Sequence, residues 1–257
     1  GTRWRGRIAL VTGASVGIGA GICRELVQHG MTVIGCARNV QQIQAISEET
    51  NVKSASGKLV AVKCDLTNEC EILAMFNDIR QKFGHLDVCI NNAGLAHKAS
   101  LLTGKTSDWK NMLDVNVLAL SICTREAVKL MQETGIQEGQ IIQILSIAAH
   151  RVPDGRSYGH FYVGTKFMAA ALTDALRKEI KEQGSRIRIS SISPGRVETD
   201  FFNRMFKDDP NIDPVEFLKD FQSLQPIDIA KAVVYILEAP EYVEIHNIMV
   251  KPMGQKF

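Results

Sequence analysis

The chain has 257 residues, of which 45% are hydrophobic and 23% charged. A chain of this length can bury roughly three quarters of its unfolded surface, so its core needs neither disulfide nor metal. Its 30 Lys and Arg against 28 Asp and Glu leave a net charge of +2, too little for an electrostatic footprint on nucleic acid, and no apolar run is long enough to span a membrane.

In chain order, short β-rich runs alternate with longer helical ones. Ile8-Ala9-Leu10-Val11 is a predicted strand, followed by a glycine cluster and a helix from about Gly17 to His29. The strand Thr32–Ala37 precedes a polar helix through Glu48, and Leu59–Val62 leads to Asp65 and a helix ending near Phe83. Asp87-Val88-Cys89-Ile90 ends at Asn91. One long helix is predicted around Trp109 to Gln132, then the strand Gln140–Leu145. Helix Phe161–Glu182, strand Ile187–Ile192, helix Ile227–Leu237 and a last strand Asn247–Val250 complete the pattern.

Near-continuous apolar strands are buried on both faces, as in parallel sheets. Seven of them joined by helical crossovers predict an α/β fold, a doubly wound, mostly parallel sheet of Rossmann type with helices on both faces. No repeat or linker divides the chain, which predicts a single domain over residues 1–257. The least regular stretch, 196–226, carries Pro210, Pro214, Phe201, Phe202, Phe206, Phe217 and Phe221. Its position after a strand's carboxyl end predicts a substrate lid.

Thr12-Gly13-Ala14-Ser15-Val16-Gly17-Ile18-Gly19 links the first strand to its helix. Glycines at 13, 17 and 19 allow a tight turn and a close approach of backbone to a pyrophosphate at the helix N-terminus. The second strand ends in Ala37-Arg38-Asn39 instead of the acidic residue that would accept from the 2′-OH of NAD. A guanidinium there suits a 2′-phosphate, so NADP(H) is the expected cofactor. The other reading of Arg38 is a solvated strand end.

The six cysteines (Cys23, Cys36, Cys64, Cys70, Cys89, Cys123) lack zinc-site spacing and read as buried free thiols suited to a reducing compartment. The chain begins Gly-Thr-Arg-Trp and shows no hydrophobic signal core. A cytoplasmic protein without a resident metal is expected. His97 and His150 lie near the predicted pocket, where a lone His is most often a polar wall residue.

With these motifs in this order, the sequence resembles the short-chain dehydrogenase/reductase superfamily over nearly its whole length. The resemblance rests on Thr12–Gly19, Asp65, Asn91-Asn92-Ala93-Gly94, Asn116, Ser146, Tyr162 with Lys166 four residues on, and Pro194-Gly195. The segments Val33–Arg38 and Asn116–Ala127 narrow it to an animal branch holding 17-beta-hydroxysteroid dehydrogenases and insect NADP-dependent farnesol dehydrogenases. The resemblance implies an oxidoreductase with Asn116, Ser146, Tyr162 and Lys166 as its catalytic residues. Ser146 would bond the substrate oxygen, Asn116 would hold a water of the proton relay, and Lys166 would also hold the nicotinamide ribose. The implied cofactor contacts are Gly13, Ser15, Gly17, Ile18, Gly19, Arg38, Asn39, Asp65, Leu66, Asn92, Ala93, Gly94, Tyr162, Lys166, Pro194, Gly195, Val197 and Thr199. The family also implies a homo-oligomer, a dimer or tetramer, and the helix after Tyr162 carries a surplus of apolar residues.

On a helix, residues four apart share a face. A cation about 4 Å from the phenol is worth about 4 kcal/mol at an effective dielectric near 20, or roughly three pKa units. Lys166 is therefore expected to bring Tyr162 down into the range of a general acid/base. Tyr158 is followed four residues on by Tyr162, not by a lysine, and is expected to line the substrate mouth or the surface. The Ser146-to-Tyr162 spacing exceeds the family's usual one. The extra length falls in the 150–160 loop, which would reshape the pocket. Leu145 and Gln143 also replace residues common in the family. The lid's phenylalanines and the branch favour an apolar alcohol or ketone, either an isoprenoid such as farnesol or a steroid. The alternative is a non-catalytic NADPH-binding sensor or scaffold on the same fold.

Overall fold

The computed structural model describes residues 3–207, 209–213 and 219–256, without the side chain of Phe202. Phe217 and Pro214 of the expected lid lie outside the described residues. One sheet of seven parallel strands holds the chain together, in the order β3-β2-β1-β4-β5-β6-β7. The strands are β1 (Ile8–Thr12), β2 (Thr32–Ala37), β3 (Lys58–Lys63), β4 (Val88–Asn91), β5 (Gln140–Ile144), β6 (Arg188–Pro194) and β7 (Asn247–Val250). Leu10 pairs with Ile34 of β2 on one side and Cys89 of β4 on the other. The chain winds outward in opposite directions from this point, opening a crevice beyond the strands' carboxyl ends.

Among the described residues the helices are α1 (Gly17–Gln28), α2 (Val40–Ser47), α3 (Thr50–Lys53), α4 (Glu69–Phe83), α5 (Thr106–Leu113), α6 (Leu120–Glu133), α7 (His160–Glu182), α8 (Phe201–Met205) and α9 (Pro226–Glu238). Alternation along the strands explains why their sequence reads as unbroken apolar runs. Ala9 and Val11 join the core that β1 shares with Ile22 and Leu26 of α1 and Ile229 and Val233 of α9. Ile8 and Leu10 join the opposite core with Ile72 and Phe76 of α4 and Ile122 of α6. Burying a side chain of this size stabilises the fold by roughly 1.5–3 kcal/mol, so the two cores position the strand ends rigidly. The α4 boundaries follow from its caps: Asn68 accepts from the Glu71 amide, and Gly84 ends the helix at φ 81°.

The single helix expected around Trp109–Gln132 is three pieces. Between α5 and α6, Asp114–Ala119 winds as a π-helix. A widened turn of this kind recurs at functional sites, and here it carries Asn116. Single-sequence periodicity sees only one amphipathic helix across it. Of the six thiols, five are buried as expected. Cys70, in the first turn of α4, is exposed.

Candidate active site

A cleft of about 1640 Å³ opens along the carboxyl ends of the strands. Its floor is the turn from β1 into α1. Gly13 and Gly17 take φ of 64° and 56°, values L side chains rarely adopt. A Cβ on Gly19 would lie 2.1 Å from the Gly13 carbonyl oxygen, so this glycine packs the turn from behind instead of lining the cleft. The first turn of α1 holds no acidic residue and Val16 offers no side-chain cap, which leaves its N–H groups available to an anion. Asn92 holds the turn from the side. Its amide Nδ2 donates to the carbonyls of Thr12 and Gly13 at 3.2 and 3.1 Å, and the Asn92 and Ala93 N–H groups donate to Thr12 Oγ1.

Along one limb of the cleft lie Ser15, Ile18, Arg38, Asn39, Asp65 and Leu66. Arg38 and Asn39 are exposed at the end of β2. Asp65 Oδ1 accepts from the Thr67 amide and hydroxyl at 2.9 and 2.7 Å. These bonds, with a smaller contribution from Arg38, hold its carboxyl below the ordinary range.

At the cleft's centre, Tyr162 and Lys166 share one face of α7. Ser146 lines the same cleft, close enough to the phenol for its side chain to favour the phenolate, and its Oγ accepts from the Ala148 amide at 3.0 Å. Lys166 Nζ lies 5.6 Å from the Tyr162 ring centroid and donates to the Ile144 carbonyl at 3.4 Å. The expected lowering of the Tyr162 pKa is not found. Burial pushes the phenol up to about 12, opposed only by the Ser146 side chain. Burial also brings Lys166 down to about 8. Withdrawal from water disfavours the charged form of each group. Asn116 lies behind the cleft wall. Its Oδ1 accepts from Leu95 N at 2.9 Å and its Nδ2 donates to Leu95 O at 2.8 Å and Thr165 Oγ1 at 3.1 Å. Both polar atoms of its side chain are thus committed to positioning neighbours. Gly94 sits between these groups: a Cβ there would come 3.4 Å from Lys166 Nζ and 3.5 Å from Asn116 Oδ1.

The far wall is Pro194-Gly195-Arg196-Val197 and Thr199. Thr199 reaches the glycine turn, since a Cβ on Gly17 would meet its Cγ2 at 3.1 Å. The stem of the expected lid is firmly knotted. Arg196 donates to Ser223 Oγ and Phe221 O, pairs with Asp220 at 2.8 Å, and lies 3.5 Å from the centroid of the Phe221 ring. Val197 bridges Leu224, and the Arg196 amide donates to Gln255 Oε1 at 2.9 Å. Phe201 stands 5.6 Å from the Tyr162 ring. Phe206, expected to close on substrate, is buried edge-on against Tyr158 at 5.3 Å instead. Tyr158 lines the cleft as expected. Lys98 also pairs with Asp209, tying the 196–226 stretch to the segment before α5.

The sequence missed several lining groups. Gly254, Gln255 and Lys256 enter from the C-terminal segment, and Arg151, Arg156, Arg204 and Lys207 bring positive charge to the wall. They lie far apart in sequence without a shared motif, so only the fold gathers them. His97 is held by Asn111 at 2.8 Å and does not line the cleft. Among the described residues no group of three or more His, Cys, Asp or Glu could hold a metal, and no helix is long and apolar enough to cross a membrane.

A family model described as short chain dehydrogenase matches residues 7–210. The chain is 49% identical to dehydrogenase/reductase SDR family member 11 of Gallus gallus, over 98% of this chain and 98% of the relative. It is 37% identical to the farnesol dehydrogenase of Aedes aegypti, over 99% of each. Among solved structures it resembles the closed form of a serine dehydrogenase complexed with NADP+, with TM-score 0.86 and 28% identity over 97% of this chain and 96% of that one.

Proposed function

The chain belongs to the short-chain dehydrogenase family of oxidoreductases, and from that premise we propose that it transfers a hydride between NADP(H) and the carbinol or carbonyl carbon of an apolar alcohol or ketone. The observation that carries the reading is that Ser146, Tyr162 and Lys166 line one cleft whose floor is a glycine turn, with Lys166 Nζ one helical turn along and 5.6 Å from the centroid of the Tyr162 ring.

The cleft suits a dinucleotide. Gly13, Gly17 and the uncapped start of α1 offer backbone N–H groups to a pyrophosphate. Asp65 and Leu66 take the adenine, with Asn92, Ala93 and Gly94 closing that side, while Ser15, Ile18 and Asn39 line the same limb. Pro194, Gly195, Val197 and Thr199 take the nicotinamide end. Arg38, exposed where an NAD enzyme would carry a carboxylate, favours the 2′-phosphate. The solved relative bound to NADP+ supports that choice.

The nicotinamide supplies or accepts the hydride when bound. Ser146 orients the substrate oxygen, and Tyr162 passes its proton to that oxygen in reduction or takes one in oxidation. A phenol with pKa about 12 is fully protonated at neutral pH, so Tyr162 is loaded as the acid for carbonyl reduction. Lys166, near 8, carries or releases a proton close to physiological pH and so suits the relay behind Tyr162. Asn116 fixes Leu95 and Thr165 and thereby the wall around Lys166.

Leu95, Val115, Ile147, Phe201 and Met205 give the substrate half an apolar lining. This favours an isoprenoid alcohol such as farnesol, or a steroid, and the name of the mosquito relative points the same way. Residues 1–257 act as one domain, with 196–226 as the substrate lid, in a cytoplasmic homo-oligomer. Support for self-association comes from α7, where Phe167, Met168 and Leu172 are exposed on one side. The test is to incubate the purified protein with NADPH and a panel of ketones and aldehydes, and with NADP+ and the matching alcohols, following nicotinamide absorbance. Turnover of terpenoid or steroid members above short polar ones is expected. NADPH binding without turnover of any carbonyl or alcohol would overturn the reading.

A further inference from the structure

The turn that presents Ser146 is pinned at both ends to adjacent residues of β6. Before it, the Leu145 amide donates to the Ile192 carbonyl at 2.7 Å. After it, His150 Nε2 meets the hydroxyl of Ser193 at 2.8 Å. Between these anchors runs one 3-10 turn, Ile147–Ala149, whose Ala148 amide donates to Ser146 Oγ. His150 is exposed, yet its ring reaches a serine that is 0% exposed. This serine directly precedes Pro194-Gly195 on the far wall of the cleft. The contact therefore joins the Ser146 turn to the far wall of the cleft.

The hydrogen-bond chain fixes the direction of this contact. Ser193 Oγ donates its one hydrogen to Asn247 Oδ1 at 2.8 Å, which also accepts from Ser191 at 2.8 Å. Ser193 can then only accept from His150, so Nε2 carries the hydrogen. The neutral Nε2–H tautomer and the imidazolium both donate there. The tie is a mechanical one, independent of the charge on the ring.

Resting on the oxidoreductase reading above, we propose that His150 is a positioning residue for Ser146: its bond to Ser193 closes the turn that places the Ser146 hydroxyl in the cleft it shares with Tyr162. Without it the turn is held at one end and by its own short hydrogen bonds. Displacement of a reacting group by about 1 Å costs up to about 100-fold in rate, so small freedom in this turn is felt in kcat.

The experiment compares His150→Ala, His150→Gln, Ser193→Ala and the Ala/Ala double variant in the intact chain. Glutamine places an amide N–H near the position of Nε2. Expected for His150→Ala is a fall in kcat of about tenfold or more, with NADPH affinity unchanged, recovery in His150→Gln, and a double variant no worse than either single one. Hydrogen exchange at Ala148 and Ala149 should quicken in His150→Ala and not in His150→Gln. Undiminished kcat in His150→Ala, no recovery with glutamine, or losses that multiply in the double variant would overturn the proposal. Should the unmodified protein turn over no carbonyl, the oxidoreductase reading fails, and exchange rates alone decide whether the tie exists. Unchanged exchange in His150→Ala would refute the tie itself.

Discussion

Lys166 Nζ lies 5.6 Å from the centroid of the Tyr162 ring, one turn along α7, and the two groups shift in opposite directions from their ordinary pKa values. Tyr162 rises to about 12 and Lys166 falls to about 8, both chiefly through burial. Below pH 8 the buried Lys166 carries its charge at the full desolvation penalty. As pH rises from 8 toward 10.5 the unfolded chain holds more protons than the folded one, so stability increases across that window. The penalty is roughly 3 kcal/mol. Lys166→Met is therefore expected to raise the Tm of the ligand-free protein at pH 7, with the gain shrinking by pH 10.5, while turnover is lost. Thermal denaturation at the two pH values checks this, and a lower Tm for Lys166→Met at pH 7 would show that its contacts outweigh its desolvation.

Arg38 is exposed at the end of β2, near Asp65, and lines one limb of the cleft. Arg38→Asp removes a guanidinium partner for the 2′-phosphate and adds a carboxylate that repels it and accepts from a 2′-OH. The ratio of kcat/KM for NADPH over NADH is expected to fall by about tenfold or more, with loss of roughly 1.5–3 kcal/mol of charge-assisted bonding. Equal kcat/KM for the two cofactors in the unmodified protein would count against this role.

The phenylalanines of the 196–226 stretch divide by partner. Phe201 stands beside Tyr162, whereas Phe206 is buried against Tyr158 and Phe221 lies under Arg196. Phe201→Ala should raise KM for a terpenoid or steroid ketone more than for a short ketone and leave Tm nearly unchanged. Phe206→Ala should lower the stability of this stretch, read as faster hydrogen exchange in residues 200–207, because a buried ring is removed. If the two variants behave alike in both assays, the division is wrong.

The strands and the glycine turn were legible because their signals are local. A sheet covered on both faces demands apolar runs such as Ile8–Val11, and a turn with φ of 64° and 56° demands Gly13 and Gly17. Asn116 shows where local reading stops. Its motif placed it at the site, but the π-helix that turns its side chain onto Leu95 leaves no trace in hydrophobic periodicity. Tyr162 shows a second limit. Spacing gives its distance from Lys166, while its pKa depends on burial by α8 and the strand ends, which are remote in sequence. Gln255 and Lys256 joined the cleft for the same reason, brought there by β7 pairing with β6.

Phe167, Met168 and Leu172 leave an apolar stripe exposed on α7, with Leu113 and Leu118 exposed on the neighbouring α5 and π-helical turn. Light scattering at micromolar concentration is expected to give a multiple of the chain mass. Phe167→Glu with Leu172→Glu should return it to a single chain by placing charge in the contact. A single-chain mass for the unmodified protein would contradict self-association.

The role of Tyr162 is tested most directly by measuring NADPH oxidation with a ketone substrate in Tyr162→Phe and Tyr158→Phe, alongside NADPH binding in each. The phenyl ring keeps the contact with Phe201 but has no proton to give. Turnover of Tyr162→Phe is expected to fall by about 10²–10⁴-fold with NADPH binding nearly intact, while Tyr158→Phe keeps most of its activity. An active Tyr162→Phe beside an inactive Tyr158→Phe would contradict the assignment.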